Sequence, residues 1–510
     1  MLLYKVNKKC AFFMDSLYSN RTFCSRETIV AIFIISLFSG SIFSGFAFGF
    51  SSALFLLFGG IVGACSFLYP RSGIYATVFL LVVFERFYTL QPLLIGKETY
   101  HVYPLDIVVA AIFFRVFLEL LSKRIRLSLT IPMGFLLAFF VYVSFRFGFD
   151  ILNSSDRSLS VAFSTWKNYV FYGGIAMLTA ILFQMKEHIF RFSRFLCAGI
   201  LVIFIFLAIG IMRGEGLWTE YTPLSTSGHR ILAFPHAFYF SIAFLIGTVL
   251  FIHLRRSLRG VWRCVFLFAY PALLIGILGS LMRHLWLGIF VALISSMILF
   301  RKETLLSMWS ILRTYALVTV LFVSLSCTVF LVLSSVAPST ESTQIFKVLG
   351  ERLTSLGNAS DTSIAWRGVV WKNAFNEFSG NPIFGTGFGN RVSVEMDGYQ
   401  DYVEIRNMHN SWLALLVQSG IFGFSLLVLF LGSLLVRVVH VSRRWAVPDS
   451  FKLMEIALST ILIFCSIVFF SQPYLETNLL SLVFWVSSGL LLGIDSVYQQ
   501  AIRSKIKMFV

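Results

Sequence analysis

Residues 409–437 read HNSWLALLVQSGIFGFSLLVLFLGSLLVR. No charged side chain interrupts the run from Ser411 to Val436, which is long enough to cross the roughly 30 Å apolar core of a bilayer as one helix. Asn410 and Ser411 stand where a helix N-terminus needs side-chain acceptors. Cutting the chain in the same way, wherever charges, proline or polar clusters break an apolar run, yields about fourteen spans. They run approximately Thr28 to Phe43, Phe46 to Leu68, Gly73 to Phe87, Leu105 to Leu121, Leu127 to Val143, Lys167 to Phe183 and Phe195 to Met212. The series continues Leu232 to His253, Val261 to Leu281, His284 to Phe300, Leu306 to Val336, Ser411 to Val436, Phe451 to Ser471 and Thr477 to Ser496.

Composition requires such an architecture. The 510 residues are 58% hydrophobic and only 13% charged, with 57 Phe and a mean hydropathy of +0.84. A water-soluble enzyme is about a quarter charged, so that class is excluded, as are disordered and collagen-like chains. The formal charge of +17 raises nucleic acid as a partner, but the basic residues sit in short runs between apolar spans. Lys123/Arg124/Arg126, Lys186/Arg191/Arg194, Arg255/Arg256/Arg259/Arg263, Arg301/Lys302 and Arg437/Arg443/Arg444/Lys452 alternate with loops poor in Lys and Arg. That is the positive-inside pattern, and it predicts that these loops face the cytoplasm. Seven cysteines, an odd number with none in the long polar loop, support neither a disulfide framework nor a CxxC metal site.

With an even number of spans both termini are cytoplasmic. The expected layout is a basic N-terminal segment over residues 1–27, read as a retained signal anchor, then eleven spans over 28–336. An outer loop over 337–410 precedes the twelfth helix, three spans fill 411–496, and a cytoplasmic tail covers 497–510. Acidic residues outnumber basic ones by two in the 337–410 loop, against the trend of the chain. Shorter loops at Tyr88 to Pro104, Gly148 to Trp166, Arg213 to Phe234, near Arg283 and at Gln472 to Glu476 share its face. Chemistry there has no access to cytoplasmic nucleotide sugars and needs an activated donor delivered through the membrane.

Ionisable residues at the membrane edge are costly and are therefore candidates for function. Arg230 precedes the span from Leu232, Arg283 lies at the outer end of the span to Phe300, and His409 precedes Ser411. A helix N-terminus disfavours imidazolium, so His409 is expected to be neutral and able to accept a proton as a general base. Its bland alternative is a capping role. Arg230 and Arg283 offer forked donors matched to phosphate oxygens, suited to a pyrophosphate leaving group; their alternative is snorkelling to headgroups. Trp366 to Phe375 reads as a short amphipathic helix carrying Arg367 and Trp371, ending at Gly380-Asn381-Pro382. The glycine-punctuated Ile383 to Arg391 either presents N–H groups to an anion or is a packing turn, and the packing turn is favoured. Trp371, Tyr399, Tyr402 and Trp412 suit stacking on sugar rings but equally suit the interfacial aromatic belt. No acidic or paired-His cluster has metal-ligand spacing, so neither metal nor cofactor is expected.

The stretch from Trp366 to Gly423 resembles the O-antigen ligase and polymerase family of bacterial envelope glycan assembly. It holds a Trp helix with Arg367, then Pro-Ile-Phe-Gly-Thr-Gly-Phe-Gly, then His-Asn-Ser-Trp-Leu-Ala-Leu-Leu and Gln-Ser-Gly-Ile-Phe-Gly. Looser likenesses are Gly228-His229-Arg230 and Ser280-Leu281-Met282-Arg283-His284, where Ser-Arg-Gly is commoner in the family. The resemblance implies an all-α polytopic membrane glycosyltransferase, GT-C-like, in the bacterial inner membrane with its active site on the periplasmic face. It implies His409, Arg283 and Arg230 as catalytic and Arg367 as a loop arginine in support; from their types and positions, Arg367, Trp371, Asn410 and Tyr402 are expected to bind substrate. The implied reaction is metal-independent and inverting, from an undecaprenyl-pyrophosphate-linked glycan to a sugar hydroxyl of a lipid-linked repeat unit or lipid A core. Membrane lipids, a flippase and a chain-length regulator are the implied partners, with no nucleic acid. Polymerisation of O-antigen or exopolysaccharide repeats is favoured over ligation by the number of spans and the extra segments. The competing class is a lipid-linked oligosaccharide flippase, which should show internal repeats with paired broken helices; none is visible.

Overall fold

The apolar runs fold as helices, since a chain out of water can satisfy its backbone N–H and C=O groups only within itself. The computed structural model describes residues 25–49, 51–84, 93–95, 98–100, 103–125, 129–153, 158–213, 232–254, 261–299, 362–396, 399–442, 449–477 and 480–494. Nearly all of the N-terminal segment, Arg230, the span expected from Leu306 to Val336, the first part of the 337–410 loop and the C-terminal tail lie outside the described residues.

The helices are α1 (Arg26–Phe48), α2 (Ser52–Leu68), α3 (Pro70–Phe84), α4 (Pro104–Leu121), α5 (Ile131–Asn153), α6 (Leu159–Trp166), α7 (Ile175–Leu182) and α8 (Lys186–Arg213). They continue with α9 (Phe234–Leu254), α10 (Val261–Gly279), α11 (Arg283–Leu299), α12 (Thr362–Gly380), α13 (Ser411–Ser442), α14 (Asp449–Val468) and α15 (Leu480–Ile494). Stretches within α1, α5, α8 and α13 are long and apolar enough to cross a membrane, and six shorter apolar helices accompany them among the described residues. Large apolar side chains stay exposed along these helices, among them Phe33, Phe117, Val141, Phe145, Leu201, Ile205, Leu429 and Val436. In water such a band would drive aggregation; in a bilayer it is the lipid-facing surface. The chain is a mostly helical membrane protein.

It is not all-α. β1 (Leu93–Ile95) pairs with β2 (Glu98–Tyr100), and β3 (Arg391–Met396) pairs with β4 (Tyr399–Glu404), each as an antiparallel hairpin. In β3 the buried Val392 and Val394 alternate with Arg391, Ser393 and Glu395, the two-residue period of a half-buried strand. The run expected as one helix from Lys167 to Phe183 is also interrupted. α6 passes into a π-helical turn at Lys167–Phe171, and α7 restarts at Ile175. Wide turns of this kind are uncommon and concentrate at functional sites.

Two compact units divide the described residues. The first takes those within Arg26–Ser193, Ala359–Val447 and Leu462–Val510, and the second those within Arg194–Asn358 and Pro448–Ile461. In the first unit α5 packs along α13, and α13 is broken at Gly420, whose φ of 70° and ψ of −177° are non-helical. The Pro382 to Asn390 turn docks into that break: Thr386 N–H donates to Val417 O at 2.8 Å, Gly387 N–H to Gln418 O at 3.1 Å, and Ile421 N–H to Pro382 O at 2.9 Å. A Cβ at Gly385 would lie 2.5 Å from the Gly420 nitrogen and 2.6 Å from two carbonyl oxygens, so the two backbones approach closely only because both positions are glycine. α5 buttresses the joint, with Tyr142 O–H on Ser419 O at 2.7 Å, Arg146 on Gly385 O at 3.1 Å and Asp150 accepting from Phe388 N–H at 2.9 Å. These turn N–H groups are spent on protein acceptors, so the anion-nest reading of Ile383 to Arg391 gives way to a packing turn.

In the second unit α9 and α10 pack through Phe244 stacked on Tyr270, with centroids 4.3 Å apart. Leu281 has a left-handed φ of 58° and turns the chain out of α10 so that α11 begins at Arg283. Trp286 holds the turn by donating from Nε1 to Ile277 O at 3.1 Å.

Candidate active site

The site is built on a small apolar core formed by α12, the β3–β4 hairpin and the start of α13. α12 contributes Val370, Ala374 and Phe378, β3 contributes Val392 and Val394, and Ile405, Met408, Ala414 and Val417 complete it. Met408 is fully buried here, which fixes the chain immediately before His409. Trp371 adds a direct tie, its Nε1–H donating to Met408 O at 2.8 Å. His409 itself adopts a left-handed φ of 57°. That conformation is uncommon for a non-glycine residue and persists only where its surroundings hold it.

The ring of His409 meets Trp366 edge-on at 5.7 Å and bonds through Nδ1 with Gln472 Oε1 at 3.0 Å. An amide oxygen only accepts, so this pairing makes Nδ1 the protonated nitrogen and leaves the Nε2 lone pair as acceptor. Burial is the largest influence on the ring and lowers its pKa; the Gln472 bond opposes this and the charge of Arg367 adds to it, holding the group below the ordinary histidine value. Neutrality at pH 7 was expected from the helix N-terminus. The larger cause is burial.

Asn410 caps α13, its Oδ1 accepting from Leu413 N–H at 3.0 Å. Ser411 then joins the helix to the loop between α14 and α15. Its N–H donates to Phe469 O at 2.8 Å, and its Oγ accepts from Leu475 N–H at 3.1 Å and lies 3.1 Å from Gln472 O. The same Oγ makes a short contact with Glu476 Oε2. Glu476 is buried, accepts from the Tyr169 hydroxyl at 2.6 Å, and has its main-chain oxygen bonded by Asn168 Nδ2. Burial pushes the Glu476 carboxyl up to about 7, with the Ser411 and Tyr169 bonds pulling it down. Asn168 and Tyr169 come from the π-helical turn, so the turn and the α14–α15 loop together support the helix start that presents His409.

A polar strip flanks this arrangement. Arg406 bonds to Glu404 at 2.7 Å and to Ser164 Oγ on α6 at 2.8 Å. Lys167 pairs with Asp106 at 2.8 Å and lies 4.5 Å from the centroid of the Tyr103 ring. Among the described residues no group of three or more His, Cys, Asp and Glu side chains gathers as a metal site requires.

Of the residues chosen from sequence, His409, Arg367, Trp371 and Asn410 meet in one unit. Trp371 and Asn410 have polar atoms engaged in building the site, the indole N–H of one and the side-chain carbonyl oxygen of the other. Tyr402 lies on β4 of the same unit with 60% of its surface exposed. Arg283 opens α11 in the second unit, and Arg230 is outside the described residues. Gln472, Glu476, Tyr169 and Ser411 were not chosen. Glu476 carried a signal, as an acid at the edge of an apolar span on the face already singled out; Gln472 carried none.

Residues 266–428 match the family model described as O-antigen ligase. The matched segment contains Arg283, Arg367, Trp371, Tyr402, His409 and Asn410, and it stops short of Gln472 and Glu476. No curated protein matches the chain.

Proposed function

We propose that this protein, which the matched segment assigns to the O-antigen ligase and polymerase family, transfers glycan from an undecaprenyl-pyrophosphate carrier to a sugar hydroxyl on the outer face of the bacterial inner membrane. A ligase- or polymerase-type role in polysaccharide assembly follows from the family; the donor, acceptor, topology and stereochemistry are our reading. The observation that carries it is His409, half-buried, held by Gln472 in the tautomer whose Nε2 accepts, and placed within the matched segment.

In the proposed reaction Nε2 of His409 takes the proton of an acceptor hydroxyl as its oxygen attacks the anomeric carbon. The new C–O bond forms as the bond to the pyrophosphate oxygen breaks, and displacement from the opposite face inverts the anomeric centre. Arg283 and Arg230 take the charge that develops on the pyrophosphate, a task suited to fixed guanidinium groups. Burial does most to keep the imidazole unprotonated before the reaction, and the charge of Arg367 adds to it. Tyr402, exposed on β4 of the same unit, offers a ring face to the acceptor sugar. The fourteen-span GT-C-like architecture, with both termini cytoplasmic and no metal or cofactor, belongs to the same reading, as does a preference for polymerisation over ligation.

Glycan profiling of a deletion strain complemented with wild type, His409→Ala, Arg283→Ala or Arg230→Ala tests the proposal, with membrane levels of each protein measured in parallel. Loss of long chains with single repeats retained assigns a polymerase. Polymer accumulating on the undecaprenyl carrier with nothing attached to lipid A assigns a ligase. Normal glycan from every variant refutes the transferase and returns the flippase.

A further inference from the structure

A polar cavity lies in the first unit, and its lining shares no residue with the His409 site. Its volume is about 520 Å³, and its lining includes Glu27 of α1, Arg71 of α3, Arg115 and Glu119 of α4, Arg124 in the turn beyond α4, and Gln184 between α7 and α8. Apart from Arg115, within α4, these positions lie at or just beyond helix ends, and they adjoin the Lys123/Arg124/Arg126 and Lys186/Arg191/Arg194 loops that the positive-inside pattern assigns to the cytoplasm.

Fixed bonds orient the basic groups without consuming them. Arg71 donates from Nε to Leu182 O at 2.8 Å and from Nη1 to Glu27 at 2.9 Å, which leaves its Nη2. Arg115 meets Glu119 through Nε at 2.7 Å, which leaves the outer edge of its guanidinium. Arg124 is exposed, and its main-chain N–H is anchored on Glu119 O at 2.9 Å. Arg191 further neutralises Glu27 at 2.6 Å. Positive charge is therefore in excess around a cavity whose two acids are already paired. The rim is apolar and open: Leu68 and Met185 in the lining, and Leu121 nearby on α4, are each more than half exposed. A forked cationic pocket bordered by exposed aliphatic surface at the membrane edge matches a phosphodiester that carries acyl chains.

We propose that this cavity binds the phosphate headgroup of an anionic lipid of the leaflet on the basic-loop side, with Arg71, Arg115 and Arg124 around the phosphate and the acyl chains along Leu68 and Leu121. The site is independent of the transfer reaction. A bound lipid would tie α1, α3 and α4 together at their common end and hold the bundle at a fixed depth.

The test uses the purified full-length protein in zwitterionic detergent, titrated with phosphatidylglycerol and followed by native mass spectrometry, with phosphatidylcholine and inorganic phosphate as separate arms. Wild type is expected to retain phosphatidylglycerol over phosphatidylcholine. Arg115→Gln and Arg124→Gln should each weaken retention about fivefold, while Lys123→Asn, on the same loop but not lining the cavity, should not. Arg124 lies in an exposed turn, so its variant remains informative if Arg115→Gln lowers the yield. Equal retention by wild type and both variants overturns the proposal. So does an inorganic phosphate arm that occupies the site at millimolar concentration and excludes the lipid, since that outcome assigns a free anion.

Discussion

Replacing Glu476 with glutamine removes a buried carboxyl whose pKa rises from 4.5 to about 7 on folding. A group raised in this way holds its proton longer in the folded state than in the unfolded one. Its contribution is therefore fully present below about pH 4.5 and is lost as pH rises through about 7. At about 1.4 kcal/mol per pKa unit, ionisation costs the native protein about 3 kcal/mol by pH 8. The hydrogen bonds can accommodate a protonated carboxyl, although as donors Ser411 and Tyr169 favour the ionised one. Ser411 has one hydroxyl proton and faces both Gln472 O and Glu476 Oε2, so if it donates to the carbonyl, the carboxyl must be the donor in the other pair. Glutamine reproduces that pattern, since its amide accepts from Tyr169 and donates to Ser411. The Glu476→Gln protein should thus melt close to wild type at pH 5 and pull ahead of it by about 2 to 3 kcal/mol by pH 8. Thermal unfolding of the two full-length proteins in one detergent, read by tryptophan fluorescence from pH 5 to 8, measures the gap. The titration of His409 is common to both proteins and cancels. Parallel pH profiles, with no widening of the gap, would refute the assignment of a neutral Glu476.

Gln472→Glu sets a carboxylate against His409 Nδ1 and should raise the histidine pKa by roughly 1 to 3 units. The acidic limb of the transfer rate then moves up in pH; an unmoved limb in a pH–rate profile of membrane vesicles contradicts the base role. Asn410→Ala removes the cap of α13 and should cost about 1 kcal/mol of stability, seen as a lower melting midpoint. Gly385→Ala forces a methyl to within 2.5 to 2.6 Å of main-chain atoms of α13 and also burdens a φ of 73°, so a loss of several kcal/mol and poor folded yield are expected in a size-exclusion and melting assay.

Helix positions were legible because the bilayer imposes a simple code. Each apolar run of sufficient length must close its own hydrogen bonds, and polar residues such as Asn410 or Gly380-Asn381-Pro382 mark the ends. The hairpin at Arg391–Glu404 was written in the alternation of Val392 and Val394, but over a strand too short to stand out from a polar loop. The break in the Lys167 to Phe183 run was not written locally, because nothing in its composition separates a π turn from an α turn; Asn168 and Tyr169 are bonded there to Glu476, more than three hundred positions away.

The candidate site divides along the same line. His409, Arg367 and Trp371 were found because residue type and a span boundary are properties of adjacent letters. The tautomer of His409, the main cause of its neutrality and the protonation of Glu476 depend on Gln472, Ser411 and Tyr169, which three separate segments bring within hydrogen-bond distance. Desolvation and hydrogen bonding act over a few ångströms in space and are blind to distance along the chain. Membership of the membrane class and the choice of His409 as the proposed base therefore rest on local order, while the tautomer and burial of that histidine were decided only when the helices packed.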